Sequence, residues 1–68
     1  MEEKIKGITI PYDTKIIDAL RKMDSLNRKL LILEKNGDFY SLLSIGDIQR
    51  AIIKGVDLNS PVYEITRK

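Results

Sequence analysis

The segment LLILEKNGDFYSLLSIGD, residues 30–47, decides the fold of this chain of 68 residues. It opens with four consecutive apolar residues, 30–33, which are too few for a helix between these flanks and typical of a strand covered on both faces. The Asn-Gly pair at 36–37 readily adopts the positive φ angles of a type I′ turn, which predicts a tight hairpin. Residues 39–43 then form the return strand, and a helix is expected to begin after Ser44.

The flanking segments supply one more strand and two helices. Residues 5–10 alternate apolar and polar side chains and predict a short strand, which Pro11 ends because proline cannot donate to a strand ladder. Apolar residues at 16, 19, 20 and 23 share one helical face, so we expect an amphipathic helix over 16–26. The apolar spacing over 48–53 predicts a second helix, with Gly55 as the residue after its C-cap.

The resulting order is β-α-β-β-α, an α/β (α+β) unit with a three-stranded mixed sheet and two helices on one face. The first βαβ segment is expected to be a right-handed parallel crossover, and the hairpin adds an antiparallel strand. Because residues 30–33 carry apolar side chains on both faces, the uncovered face is expected to meet another chain or domain. A domain of this size buries only ~60% of its extended-chain surface, and without cysteine or histidine it has no disulfide or zinc staple.

Composition excludes several classes of function. The chain has 12 basic and 10 acidic residues, interspersed along its length, so we expect no nucleic-acid partner. Without histidine or cysteine it lacks the commonest general base, the thiol nucleophile and most transition-metal ligands, so we predict no catalytic residue and no metal site. No apolar run approaches the ~20 residues of a membrane span and no export signal is evident. We therefore expect a soluble cytoplasmic chain without a membrane partner.

The start of the second predicted helix carries the candidate site. Its free backbone N–H groups favour an anion, and Asp47 could accept hydrogen bonds from the two hydroxyls of a ribose, so Ser44 and Asp47 indicate a nucleotide site. The alternative is a capping box, in which Ser44 caps the amide of Asp47 and Asp47 reaches back to Ser44. Glycine at position 46, in a first helical turn, lowers helix stability by up to about 1 kcal/mol relative to alanine. Its presence there indicates that another group approaches the backbone closely. Arg50 fits either a bound phosphate or the helix dipole.

Four stretches, taken in order, match one known pattern. They are ITIPYDT at 8–14, similar to a first strand with a "p-D-T" helix entry; IDALRKM at 17–23, similar to "eAl-kM"; SIGDIQR at 44–50, similar to "T-d-g-D-I-r-R"; and SPVYEI at 60–65, similar to "p-V-e-i-m". Together they resemble the CBS domain, the regulatory motif named after cystathionine β-synthase, over roughly residues 5–68. The resemblance implies a single CBS motif over 1–68, in which 57–68 form the linker or seam towards a second CBS motif.

The resemblance also implies a ligand. In the family, the glycine, Ser/Thr and Asp of a G-h-x-T/S-x-x-D pattern commonly hold adenosine nucleotides. Carried over by position, Ser44 is the hydroxyl residue, Asp47 is the ribose carboxylate, and Ile10 at the end of the first strand lines the base. The glycine of the pattern falls on Ser41, whose side chain would narrow the cleft. The implied ligand is AMP, ADP, ATP or a related nucleotide that acts as a regulator, and no cofactor is required.

The same resemblance suggests partners. A CBS motif of this kind pairs through its exposed sheet face with a second CBS motif or with another copy as a homodimer. Residues 46–62 look most like N-terminal CBS motifs of bacterial sugar-phosphate nucleotidyltransferases of the mannose-1-phosphate guanylyltransferase kind, so the catalysis would belong to an attached domain. Two alternatives stay open. One is a ligand-free structural dimerisation module, which Ser41 favours; the other is a small nucleic-acid-binding domain, for which no basic face or RNA-binding signature is present.

Overall fold

The computed structural model describes residues 7–66, which form a three-stranded sheet and two helices. The elements are β1 (Thr9–Pro11), α1 (Ile16–Leu26), β2 (Leu30–Lys35), β3 (Asp38–Ser44), α2 (Ile45–Ile53) and a short 3-10 helix (Val62–Glu64). The sheet order is β1-β2-β3, with β1 parallel and β3 antiparallel to β2. The predicted β-α-β-β-α order and mixed sheet are confirmed, as are the bounds of the first helix.

The first strand differs from its prediction. It begins at Thr9 and includes Pro11, whereas residues 5 and 6 lie outside the described residues. Gly7 interrupts the alternation, and pairing starts only at the carbonyl of Ile8, which accepts a hydrogen bond from the N–H of Ile32 at 2.8 Å. Pro11 is tolerated inside the strand because β1 is an edge strand.

The predicted hairpin is present, with an irregularity beyond the turn. Asn36 and Gly37 have φ angles of 54° and 85°, as a type I′ turn requires. The register of β2 and β3 shifts after Leu33, so Tyr40 is an extra residue between the partners of Leu33 and Glu34. A bulge of this kind re-aims the side chains next to it.

The second helix ends as its sequence predicts. Gly55 has a φ of 78°, and its N–H donates to the carbonyl of Ile52 at 3.1 Å. The N–H of Val56 donates to the carbonyl of Ala51 at 3.0 Å. These two bonds form a Schellman motif, in which glycine adopts the left-handed conformation without a Cβ penalty. Among residues 7–66, no helix is long and apolar enough to cross a bilayer.

The core lies on one face of the sheet, under both helices. Its buried members come from the sheet, both helices and the C-terminal segment: Ile10, Ile16, Ala19, Met23, Leu31, Leu33, Leu43, Ile48 and Val62. On the opposite face Leu30 and Leu42 remain 44% and 48% exposed. The predicted arrangement of two helices on one face is therefore confirmed, and the other face is uncovered in the single chain.

The segment after α2 packs back on α1. The N–H groups of Ile16 and Ile17 donate to the carbonyls of Ser60 and Leu58, each at 2.9 Å. The N–H of Val62 donates to the carbonyl of Thr14 at 2.8 Å, and the Val62 side chain is fully buried. Much of the predicted 57–68 seam is thus held against this domain, and its role towards a second motif stays a prediction.

Candidate functional site

A cleft of about 780 Å³ opens where β3 meets the first turn of α2. An apolar wall comes from the uncovered sheet face, and a polar wall comes from the helix. The lining residues are Leu30, Phe39, Tyr40, Ser41, Leu42, Ser44, Asp47 and Arg50. This volume lies within the roughly 300–1,000 Å³ typical of small-molecule sites.

Ser44 and Asp47 form a reciprocal capping box at the mouth of this cleft. The carboxylate atom Oδ2 of Asp47 accepts from the backbone N–H of Ser44 at 2.9 Å and from its hydroxyl at 3.0 Å. The N–H of Asp47 donates to the Ser44 Oγ at 3.2 Å. The predicted capping box is therefore confirmed. It starts the helix at the residue that ends β3, and it fixes the carboxylate on the wall of the cleft.

The second oxygen of this carboxylate is paired with Arg50. Nη2 of Arg50 lies 2.5 Å from Oδ1 of Asp47. Long helical side chains point back towards the helix N-terminus, and Arg50 therefore lies over the first turn of α2. A Cβ placed on Gly46 would find Nη1 of Arg50 at 3.4 Å as its nearest neighbour. The group that approaches the backbone at Gly46 is thus a side chain of the same helix.

The environment of Asp47 keeps its carboxylate ionised. Burial raises the pKa of this group, but the hydrogen bonds from the Ser44 backbone and hydroxyl and the neighbouring Arg50 guanidinium together outweigh burial. The net pKa of Asp47 lies below its ordinary value. At neutral pH the side chain is an acceptor only, which suits the hydroxyl groups of a sugar.

The other predicted positions lie in different places. Ser41 lines the cleft, at the position where the family pattern has glycine. Ile10 is buried in the core on the covered face, so the structure does not bring it to this cleft, and its contact with a base stays a prediction. Within residues 7–66, no group of three or more acidic, histidine or cysteine side chains could hold a metal ion.

Several lining residues were not predicted from the sequence. Leu30 and Leu42 belong to the uncovered face. For Leu30, the apolar side chains on both faces of β2 were the sequence signal that could have predicted its position. Tyr40 depends on the bulge, for which the sequence carried no signal. Its ring lies 5.2 Å from that of Tyr12, which in turn stacks on Tyr63 at 5.4 Å. The Tyr12 ring therefore lies between the cleft residue Tyr40 and the C-terminal segment.

Comparison with known proteins supports the fold. No family model and no curated protein sequence matches the chain. A solved structure, a CBS domain protein from Pyrobaculum aerophilum complexed with AMP, superimposes with a TM-score of 0.81 at 21% sequence identity. The match covers 87% of this chain and 47% of that chain, so the present chain spans about half the length of that protein. The chain therefore has the fold of a CBS motif.

Proposed function

We propose that this chain is a regulatory CBS motif that binds an adenosine-type nucleotide, such as AMP, ADP or ATP, in the cleft between β3 and α2. The observation that carries the proposal is the ionised carboxylate of Asp47, fixed at a helix N-terminus on the wall of a cleft of about 780 Å³. The protein from Pyrobaculum aerophilum with the same fold is complexed with AMP, which supports this class of ligand.

Each part of a nucleotide has a complementary part of the cleft. The base packs against the apolar wall of Leu30, Phe39 and Leu42. The ribose hydroxyls donate to the Asp47 carboxylate. The phosphate lies at the N-terminus of α2, where the N–H of Gly46 has no acceptor among residues 7–66 and the helix dipole favours negative charge.

We propose further that the uncovered sheet face pairs with a second CBS motif or with another copy of this chain. The exposed Leu30 and Leu42 supply apolar surface for such a contact. The match to only 47% of the Pyrobaculum chain is what two paired units in one chain would produce. Because the cleft opens on the same side, pairing would also enclose the ligand.

The regulated activity is proposed to belong to an attached sugar nucleotidyltransferase in the cytoplasm, with no catalysis by this chain alone. Support for the attached enzyme comes from the resemblance of residues 46–62 to such N-terminal motifs. A nucleotide that binds one relative orientation of the paired motifs more tightly than another would shift the population towards it. The attached enzyme would respond to that shift.

The test is a thermal-shift panel with AMP, ADP, ATP, GTP, CTP and S-adenosylmethionine. A ligand at about 100 times its Kd stabilises the folded state by about 2.7 kcal/mol, which is several degrees for a domain this small. The variants are Asp47→Ala and the matched control Asp18→Ala. Asp18 also stands in the first turn of its helix and pairs with an arginine three residues on, but it does not line the cleft.

Each variant is compared with its own ligand-free melting temperature, because Asp47→Ala also loses a helix cap. A shift with adenosine nucleotides that persists in Asp18→Ala and disappears in Asp47→Ala supports the proposal. No shift with any nucleotide, in a wild-type protein that melts cooperatively, overturns it. The remaining function would then be a ligand-free dimerisation module, which the Ser41 side chain in the cleft favours.

A further inference from the structure

We infer that Arg50 selects phosphorylated nucleotides over nucleosides, because it exchanges its bond to Asp47 for a bond to the ligand phosphate. The inference rests on the proposed function of the cleft. It assigns to Arg50 a specificity role that the capping box alone does not require.

Asp47 has few hydrogen-bond acceptor positions left for a ligand. A carboxylate offers about four lone-pair positions on its two oxygens. Oδ2 accepts two hydrogen bonds from Ser44, and Oδ1 accepts one from Arg50. One position remains, whereas the two hydroxyls of a ribose present two donors. Both hydroxyls can bind the carboxylate only when one of the present donors leaves.

Arg50 is the donor that can leave. The backbone N–H of Ser44 is fixed by the junction of β3 and α2, and the Ser44 hydroxyl also accepts from the N–H of Asp47. The Arg50 side chain is half exposed, and within residues 7–66 its only side-chain hydrogen bond is the one to Asp47. Ion pairs with such an exposed member contribute little to stability, so the exchange is inexpensive.

The released guanidinium stays beside the ligand. Arg50 lines the cleft, and its Nη1 lies over the first turn of α2 at Gly46. A phosphate bound at this helix N-terminus lies next to it, and the planar guanidinium suits a phosphate because it can donate two parallel hydrogen bonds. A nucleoside offers no anion, so its ribose would displace Arg50 without giving the cation a new partner.

The experiment measures the affinities of AMP and adenosine by isothermal titration calorimetry in four proteins: wild type, Arg50→Gln, Arg50→Lys and Arg21→Gln. Arg21 is the matched control, because it pairs with an aspartate three residues earlier on the other helix. Arg50→Gln should weaken AMP about tenfold, the effect of one lost hydrogen bond between charged groups. Its affinity for adenosine should stay unchanged or rise. The AMP affinity of Arg50→Lys should lie between those of the wild type and Arg50→Gln. Arg21→Gln should leave the affinities for both ligands unchanged.

The outcomes separate this inference from the proposed function. Equal losses for AMP and adenosine in Arg50→Gln would mean that Arg50 acts only by positioning Asp47, and an unchanged AMP affinity would mean that it has no part in binding. Either result overturns the inference while the nucleotide site stands. Wild-type protein that binds neither ligand would overturn the proposed function, and the inference with it.

Discussion

The two helices of this small domain differ in how their first turns are capped. At α1 the N-cap Lys15 makes no side-chain cap, and the first backbone N–H groups, of Ile16 and Ile17, donate to carbonyls of the C-terminal segment. At α2 the N–H of Ile45 likewise donates to a main-chain carbonyl, that of Lys29, at 2.8 Å, but the N–H of Asp47 is capped within the turn by the Ser44–Asp47 box. Every helix start leaves N–H groups that need acceptors. The C-terminal segment covers the start of α1, whereas the compact side-chain cap of α2 leaves a cleft beside it.

The same pair of residues stands at both starts. Asp18 and Arg21 lie 3.4 Å apart on an exposed surface, whereas Asp47 and Arg50 lie 2.5 Å apart with the aspartate side chain only 11% exposed. Each aspartate is therefore three residues before its arginine, but the two pairs differ in how far the aspartate is buried. The comparison shows that an Asp-x-x-Arg helix start becomes a candidate site through its neighbours and not through its own residues.

A substitution at Val62 tests the packing of the C-terminal segment on the start of α1. Val62 belongs to this segment and its side chain is fully buried. Val62→Ala should therefore lower the free energy of unfolding by about 2 kcal/mol, because burial is lost and a cavity is left behind. Urea denaturation measures the change. Ile53→Ala, at a side chain that is 83% exposed, is the control and should change little. Equal effects of the two substitutions would contradict the view that this segment is part of the core.

The two aspartates should differ in their contribution to stability. Asp47→Ala removes a cap and leaves the partly buried N–H of Ser44 without its acceptor, so it should lower the free energy of unfolding by about 1–2 kcal/mol. Asp18→Ala removes an exposed ion pair and should cost no more than about 0.5 kcal/mol. Urea titrations of both variants compare the two helix starts directly. Similar losses would show that the box adds nothing beyond the charge pair.

Acid should remove the contribution of the box. The pKa of Asp47 is lower in the folded chain than its ordinary value, so its contribution is fully present above the unfolded pKa of about 3.9 and is lost as pH falls through the folded pKa. The difference in unfolding free energy between wild type and Asp47→Asn should therefore be constant near neutral pH and shrink below about pH 4. A difference that grows on acidification would have the wrong sign.

The smallest expected effect is at Gly46. The nearest atoms that a Cβ there would meet are side-chain atoms, the flexible end of Arg50 and the Ser44 hydroxyl, at ordinary contact distances. Gly46→Ala should therefore raise the free energy of unfolding by about 0.5 kcal/mol through helix propensity. Thermal melts and AMP titration of this variant distinguish a structural glycine from one that a ligand requires. A gain in stability with a loss of affinity would show that the ligand needs the space.

Local patterns in the sequence predicted most of the fold. The Asn36-Gly37 turn, the α1 stripe and the Gly55 terminus each depend on residues that are close along the chain. The packing of Leu58 and Ser60 on α1 could not be predicted, because carbonyls that cap a distant helix leave no local pattern. The bulge at Tyr40 was equally hidden, since a register shift is set by both strands together.

The candidate site was also predicted only in part from the sequence. Ser44 and Asp47 were found because a capping pair has a fixed spacing. For Arg50 the sequence left open a bound phosphate or the helix dipole, because its spacing allowed the cation to serve either end of the helix. In the folded helix the side chain points to the N-terminus and pairs with Asp47, and its contact with a phosphate stays a proposal.

The clustered tyrosines give this domain an optical probe of its own. The chain contains no tryptophan and three tyrosines, and all three rings belong to one cluster, in which Tyr12 contacts both Tyr40 and Tyr63 and has the ammonium group of Lys35 5.0 Å from its ring centre. Tyr40 lines the cleft and Tyr63 belongs to the C-terminal segment. Tyrosine emission of the unlabelled protein therefore arises from this single cluster, so we expect a change at Tyr40 in the cleft or at Tyr63 in the segment to alter it without an added fluorophore.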